Sequence, residues 1–189
     1  MSRGQRRGRR EGGLVLISSL LLLVVVTILA VGLFQNFGIQ EKIAGNLREK
    51  QRALAAAEAA QEYAEWWLAQ GNVSTGITCS TTVTAPTGQV CSNALTSYTT
   101  LPWQISNKPV GVYYTPNTPT AMTFQAANPV PGSYYQTPIF YITYLGLSPN
   151  GLGAIYQVDG AGYGGTASAA AVVESTYMVQ AAVKDLGVQ

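Results

Sequence analysis

Residues 14–34, LVLISSLLLLVVVTILAVGLF, form a run of 21 residues without a charged side chain, and this run constrains the fold most strongly. At about 1.5 Å rise per residue, a helix of this length spans roughly 30 Å, the hydrocarbon thickness of a bilayer. A cleavable secretory leader has a shorter apolar core followed by a small-residue cleavage site, which is not seen here. The run therefore predicts a membrane-spanning helix that the mature protein keeps.

Basic residues are concentrated before this helix. Residues 1–13 hold five arginines and one glutamate, a local charge of +4, whereas the whole chain carries +2. Arginines on this side predict that the N-terminus stays in the cytoplasm and that the rest of the chain crosses the membrane. Because the basic charge belongs to the leader and not to a folded surface, we predict no nucleic-acid partner.

The chain contains no histidine, which limits its chemistry. A Ser-His-Asp triad, a Cys-His pair and a His/Cys metal cluster are impossible, and no paired-acid motif is visible. We therefore predict no enzyme activity, no cofactor and no metal site, and we disfavour a membrane-tethered periplasmic enzyme. Asp159 has no second acid close to it in sequence, so we expect it to be solvent-exposed and not half of a calcium site.

Two cysteines, Cys79 and Cys91, lie in the part predicted to be outside the cytoplasm. In an oxidising compartment they can pair, and closing this short loop would stabilise the fold by roughly 3 kcal/mol. The alternative is a pair of reduced, buried thiols. The compartment and the spacing favour the disulfide.

Residues 35–70 predict an amphipathic helix, since they lack proline and are rich in Ala, Glu, Gln, Arg and Leu. Gly71 and Asn72 supply a C-terminal stop. Trp66 and Trp67 are expected to pack, one on a sheet and one near a loop. The predicted apolar stripe consists of Ile39, Ile43, Leu47, Leu54, Ala57, Ala64 and Leu68.

The C-terminal half predicts an antiparallel sheet, and the whole chain is therefore α+β. A meander needs a cover on one face, and the stripe of the helix is available for this. The glycine-rich segment GAGYGG lies between two strands and does not open a helix, so we assign it to a turn and not to a phosphate site. Four tyrosines fit an adhesive surface and simple strand propensity about equally well: Tyr113, Tyr114, Tyr134 and Tyr135. The predicted strands are 110–114, 122–125, 138–147, 154–159 and 171–183, with a turn over 160–168.

Three stretches resemble the PilX family of type IV pilus minor pilins: RREGGLVLISSLLLL, QEKIAGNLREKQRALAAAEAAQEYAEWWL and YQVDGAGYGGTASAAAVVESTY. The resemblance implies a type IV pilin-like fold, in which a long N-terminal helix with a transmembrane half and an amphipathic half packs on a C-terminal antiparallel sheet. It implies a prepilin leader over 1–13, a transmembrane and filament-core helix over 14–34, an amphipathic helix over 35–70 and a β-rich head over 71–189. Residues 71–135 carry no recognised motif.

The resemblance also implies how the chain is processed. A prepilin peptidase would cut between Gly13 and Leu14 and then methylate the amino group of Leu14. Most major pilins carry a glutamate at the position of Ser18, where it is thought to neutralise the amino terminus of an adjacent subunit. The serine here favours a place at or near the filament tip.

The implied function is that of a structural subunit. The chain would prime pilus assembly with other minor pilins, contact the major pilin and support a large tip adhesin, and so contribute to adhesion and twitching motility. It would lie in the inner membrane before assembly and on the cell surface afterwards. The alternative is a tip pseudopilin of a type II secretion system, which also lacks the glutamate but normally has an extra inserted domain.

Overall fold

A computed structural model describes residues 12–114 and 132–180, with the backbone alone at 35–37. Helix α1 runs from Gly12 to Ala69, as the sequence predicts. It ends where Gly71 takes a φ of 89° and the Asn72 amide donates a hydrogen bond to the Trp67 carbonyl oxygen over 2.8 Å. The chain divides into two compact units, residues 1–45 and 46–189, and the second is called the head unit below.

The head unit contains a five-stranded mixed sheet with the order β1-β4-β5-β6-β7. Strands β1 and β4 pair in parallel, and the other neighbours pair antiparallel. A separate hairpin is formed by β2 and β3. Together with α1 this is an α+β, pilin-like layout. The strands are β1 (Thr82–Thr84), β2 (Gln104–Ile105), β3 (Lys108–Pro109), β4 (Gly111–Tyr113), β5 (Ile139–Leu147), β6 (Gly153–Tyr163) and β7 (Ala170–Gln180).

Most predicted strands are confirmed with small shifts of their ends. The predicted strand 110–114 corresponds to β4, 138–147 to β5 and 154–159 to the first part of β6. The last predicted strand, 171–183, corresponds to β7 up to Gln180, and its final residues lie outside the described part of the chain. The predicted strand 122–125 also lies outside it.

Hydrophobic cores form on both faces of the sheet. On one face, side chains of β4, β5 and β6 such as Phe140 and Val158 pack against α1. On the other face, Tyr141 and Ala161 pack under a set of residues that we call the outer layer, which includes Cys79, Cys91, Leu95, Trp103 and Val110. The segment without a recognised motif therefore contributes a second cover for the sheet.

The predicted stripe of α1 is confirmed for Ala57, Ala64 and Leu68, which are buried, but it is wrong for the residues before them. Ile43 and Leu47 are 60% and 59% exposed, and Leu54 is also exposed. The buried face, called the alanine face below, also includes Ala53, Ala56 and Ala60, because the backbone of β6 lies too close to this part of α1 for larger side chains. The buried residues of α1 are Ala53, Ala56, Ala57, Ala60, Ala64 and Leu68.

The predicted turn over 160–168 is wrong in its first part. Strand β6 continues through Gly160 and Gly162 to Tyr163. A Cβ atom at Gly160 would lie 2.5 Å from the Ala57 carbonyl oxygen, and one at Gly162 would lie 2.6 Å from the Ala57 nitrogen. These glycines are needed because the backbone of α1 passes directly over them, although glycine alone disfavours a strand.

Candidate functional site

The apolar half of α1 presents its side chains outward. The large hydrophobic residues from Leu14, which is 76% exposed, to Phe34 are all exposed. In the described residues, α1 is the single helix that is long and apolar enough to cross a membrane, judged by length and composition. Such a surface is stable in lipid or against other apolar helices and unfavourable in water.

The hydroxyl groups of this half are satisfied within the helix. Ser18 donates to the Val15 carbonyl oxygen over 3.0 Å, and Ser19 donates to the Leu16 carbonyl oxygen over 2.9 Å. Thr27 makes the same bond to the carbonyl oxygen three residues earlier. These bonds lower the cost of placing a hydroxyl in an apolar environment.

The residues at the predicted cleavage site lie at the start of α1. Gly13 and Leu14 are helical, and a Cβ atom at Gly13 would have no atom within 4 Å. The arginines of the predicted leader lie outside the described part of the chain. Cleavage between Gly13 and Leu14 and methylation of Leu14 remain predictions.

Arg52 and Glu49 together link α1 to two loops of the head unit. The Arg52 guanidinium bonds the Glu49 carboxylate over 2.9 Å and donates to the carbonyl oxygens of Gly132 and Ser133 over 2.7 and 2.8 Å. It also lies 4.6 Å from the ring centroid of Tyr134. The second oxygen of Glu49 accepts a short hydrogen bond from the Gly165 N–H, which lowers the pKa of this carboxyl, as Arg52 also does.

The predicted disulfide is confirmed. Cys79 and Cys91 are bonded, with their Cα atoms 5.4 Å apart, and both are buried. The backbone of Cys91 pairs with the edge of β5, because its N–H donates to the Ile142 carbonyl oxygen over 2.7 Å. The bond therefore joins two segments of the outer layer directly on the sheet.

Asn93 and Tyr141 fasten the disulfide region further. The Asn93 side chain accepts a hydrogen bond from the Cys79 N–H over 2.8 Å and donates one to the Cys79 carbonyl oxygen over 3.1 Å. The Tyr141 hydroxyl donates to the Asn93 carbonyl oxygen over 2.8 Å. Burial raises the pKa of Tyr141 to about 12, so this hydroxyl keeps its proton.

The expectation that Asp159 is exposed is wrong, because this side chain is completely buried. It lies on the sheet face under the outer layer, opposite Tyr141 on β5 and Glu174 on β7. The Gln157 amide donates to both carboxylate oxygens, over 3.1 and 3.3 Å. Burial raises the pKa of Asp159 to about 6, and the nearby Glu174 adds to this effect.

The raised pKa predicts that Asp159→Asn stabilises the protein at neutral pH. The unfolded pKa is about 3.9, so the folded state holds the proton more tightly. The tighter binding of this proton in the folded state adds to the free energy of unfolding, and the whole of this addition is present below about pH 4. It is lost as pH rises through about 6, so the free energy of unfolding falls by about 3 kcal/mol at most. We expect the variant to be more stable than the parent by up to this amount at pH 7.5 and equal to it at pH 4. Urea unfolding of both proteins across this range measures the difference, and a constant difference would contradict the burial of a carboxylate.

Of the two tryptophans near the end of α1, only Trp67 packs as the sequence predicts. Trp67 is partly buried and lies against Gly88, whereas Trp66 is 55% exposed. Tyr63 stacks on Tyr114 with ring centroids 4.7 Å apart. The tyrosines therefore contribute to packing between elements.

Sequence reasoning missed the roles of Arg52, Glu49 and Asn93. The Glu-x-x-Arg spacing on α1 indicates a local ion pair, but the loop that Arg52 binds is about 80 residues away in sequence. For Asn93, the sequence feature that could have indicated its role is its position two residues after Cys91.

An exposed apolar N-terminal helix followed by a disulfide-bearing sheet is the layout of the type IV pilin-like class. Within that class, residues 12–62 match the family model described as PilX N-terminal. The match covers 51 of the 189 residues, and it includes Ser18, Glu49, Arg52 and most of the alanine face. It confirms the resemblance for α1 and is consistent with a PilX type IV pilin. No curated protein and no solved structure is significantly similar to the chain.

Proposed function

We propose that the chain is a minor pilin that primes type IV pilus assembly together with other minor pilins. The observation that carries this proposal is the PilX N-terminal match over the helix with the exposed apolar half. This match suggests a membrane-anchored structural subunit that contacts other pilus components. Apolar helices can move from lipid into a filament core of like helices without a large hydrophobic penalty.

Processing by a prepilin peptidase belongs to the same proposal. Cleavage between Gly13 and Leu14 removes the five arginines, which resist extraction from the cytoplasmic face of the membrane. The methylated amine of Leu14 would then begin the filament helix. The partners are the peptidase, the major pilin and other minor pilins, with a large adhesin at the pilus tip.

A place at or near the tip is supported by Ser18. Its hydroxyl is already bonded to the Val15 carbonyl oxygen, and the position offers no carboxylate to the amine of another subunit. A tip subunit has few or no subunits above it and does not require that carboxylate. From this place the chain would support adhesion and twitching motility.

Deletion of the gene tests the assembly role. We expect fewer surface pili and less twitching, while the cellular amount of major pilin stays unchanged, because priming fails before polymerisation. A complemented strain is the control. Unchanged piliation would contradict the proposal, and a loss of protein secretion with normal piliation would favour the tip pseudopilin of a type II secretion system.

A further inference from the structure

Strand β7 leaves a long edge of the sheet without a neighbour in the described part of the chain. It contains 11 residues and is last in the strand order. Its register with β6 is unbroken from Gly153–Gln180 to Tyr163–Ala170. The opposite edge strand, β1, has only three residues.

The free backbone groups of β7 can be assigned to particular residues. The Lys50 ammonium donates to the Ala170 carbonyl oxygen over 3.0 Å, so this carbonyl points away from β6. Backbone groups alternate along an antiparallel strand. The N–H and C=O groups of Val172, Glu174, Thr176 and Met178 therefore point outward as well.

Proteins usually protect such edges with proline, lysine, bulges or short strands. Strand β7 has no proline, no basic residue and no bulge, and among residues 12–114 and 132–180 only Lys50 bonds to its outer edge, at the first residue. A long, regular edge of this kind is a template for an added strand.

An apolar groove lies on the face of the sheet toward α1 and reaches the C-terminal end of β7. It has a volume of about 500 Å³ and is lined by residues that include Val73, Leu147, Leu152, Ala154 and Val179. Leu147 and Leu152 are exposed to solvent. A bulky apolar side chain of an added strand would fit here, next to the last residues of β7.

We propose that β7 binds an extended segment of a different polypeptide by strand addition. This segment would carry a bulky apolar residue for the groove and a basic residue opposite Glu174, the one charged side chain of β7. Glu174 is exposed and is the cross-strand neighbour of the buried Asp159, so two carboxyl groups lie at this position.

A second copy of the chain fits this edge less well than a different partner. If the β7 strands of two copies paired antiparallel in one sheet, the copies would be related by a two-fold rotation axis perpendicular to the sheet. That axis would reverse the direction of residues 46–69 of α1 between the two copies. Subunits anchored through their N-terminal helices in one membrane have to run in the same direction.

Panning a phage library of twelve-residue peptides on the purified full chain in detergent tests the proposal. We expect the selected peptides to alternate apolar and polar residues, with one bulky apolar residue and one Lys or Arg at fixed positions.

Thr176→Pro should raise the Kd of the synthetic consensus peptide about tenfold or more, because it removes an outward N–H without breaking a bond to β6. Thr176→Val keeps this N–H and should change the Kd less than about twofold.

Three further measurements test the proposal without the proline variant, whose fold the substitution could disturb. N-methylation of alternate peptide residues should weaken binding by a similar factor on the unaltered protein. Leu152→Ser should weaken it about tenfold through the groove, and Glu174→Gln should remove the preference for a basic residue. Strand addition at β7 does not depend on pilus incorporation, since all of this is measured on the purified chain.

Several results would overturn the proposal. One is that no peptide binds above its scrambled control, and another is that peptides bind the parent and Thr176→Pro equally. A dimer that Thr176→Pro dissociates would show that a second copy is the occupant. Slow amide exchange at Val172, Glu174, Thr176 and Met178 in the monomer without peptide would show that the chain already covers this edge.

Discussion

Replacing Gly162 with alanine is expected to destabilise the head unit by about 3 kcal/mol. The new Cβ atom would lie 2.6 Å from the Ala57 nitrogen, 2.7 Å from the Ala53 carbonyl oxygen and 2.7 Å from the Ala56 Cβ. Two of these atoms are helix backbone, so the clash is relieved only if α1 moves away from β6. Such a movement would separate the alanine face from the sheet along its length.

Thermal unfolding followed by near-ultraviolet circular dichroism measures this effect, because the aromatic core of the head unit dominates the signal. We expect the midpoint to fall by about 10 °C. Gly45→Ala is the matched control: its Cβ atom would meet nothing within 4 Å, and alanine favours helix by about 1 kcal/mol at most. Equal midpoints for the two variants would contradict the close approach of α1 and β6.

Removing the disulfide with Cys79→Ala and Cys91→Ala together is expected to cost about 3 kcal/mol. The bond closes a loop with a sequence separation of 12 and holds the outer layer over Tyr141 and Asp159. Without it, the unfolded chain gains freedom and the outer layer depends on the hydrogen bonds of Asn93. The midpoint of thermal unfolding should fall by roughly 10 °C.

Each single cysteine variant serves as a control for this experiment. If the bond itself is responsible, each single variant, kept reduced to prevent intermolecular pairing, should lose about as much stability as the double variant. Asn93→Ala leaves the bond in place and should cost less, about 1–2 kcal/mol. A double variant as stable as the parent would show that the disulfide does not hold the outer layer.

The elements that follow from local pattern were predictable from the sequence. The apolar run and the proline-free segment behind it give α1, and the run PIFYITYLGL gives β5. The cysteine spacing, in a segment predicted to lie outside the cytoplasm, gives the disulfide. In each of these cases the residues close in sequence carry the information.

The features that were missed depend on contacts between distant segments. Gly160 and Gly162 disfavour a strand locally, and only the approach of α1 explains why β6 continues through them. Asp159 was expected in solvent because nothing in its neighbourhood indicates the outer layer that covers it. The exposure of Leu47 and Leu54 was missed because hydrophobic periodicity does not report how closely a sheet approaches a helix.

The edge of β7 shows a similar limit. The alternation of residues 171–183 predicts a strand, but it does not tell whether that strand lies in the middle or at the edge of the sheet. Lys50, which fixes the direction of the Ala170 carbonyl, is 120 residues away in sequence.

The central proposal is that the chain is a prepilin processed between Gly13 and Leu14. Intact-mass and N-terminal analysis of protein from cells with and without prepilin peptidase tests it most directly. The account predicts a chain that begins at Leu14 with one added methyl group when the peptidase is present, and a chain that keeps its leader when the peptidase is removed. A chain that still begins at Met1 in cells with active peptidase would contradict it.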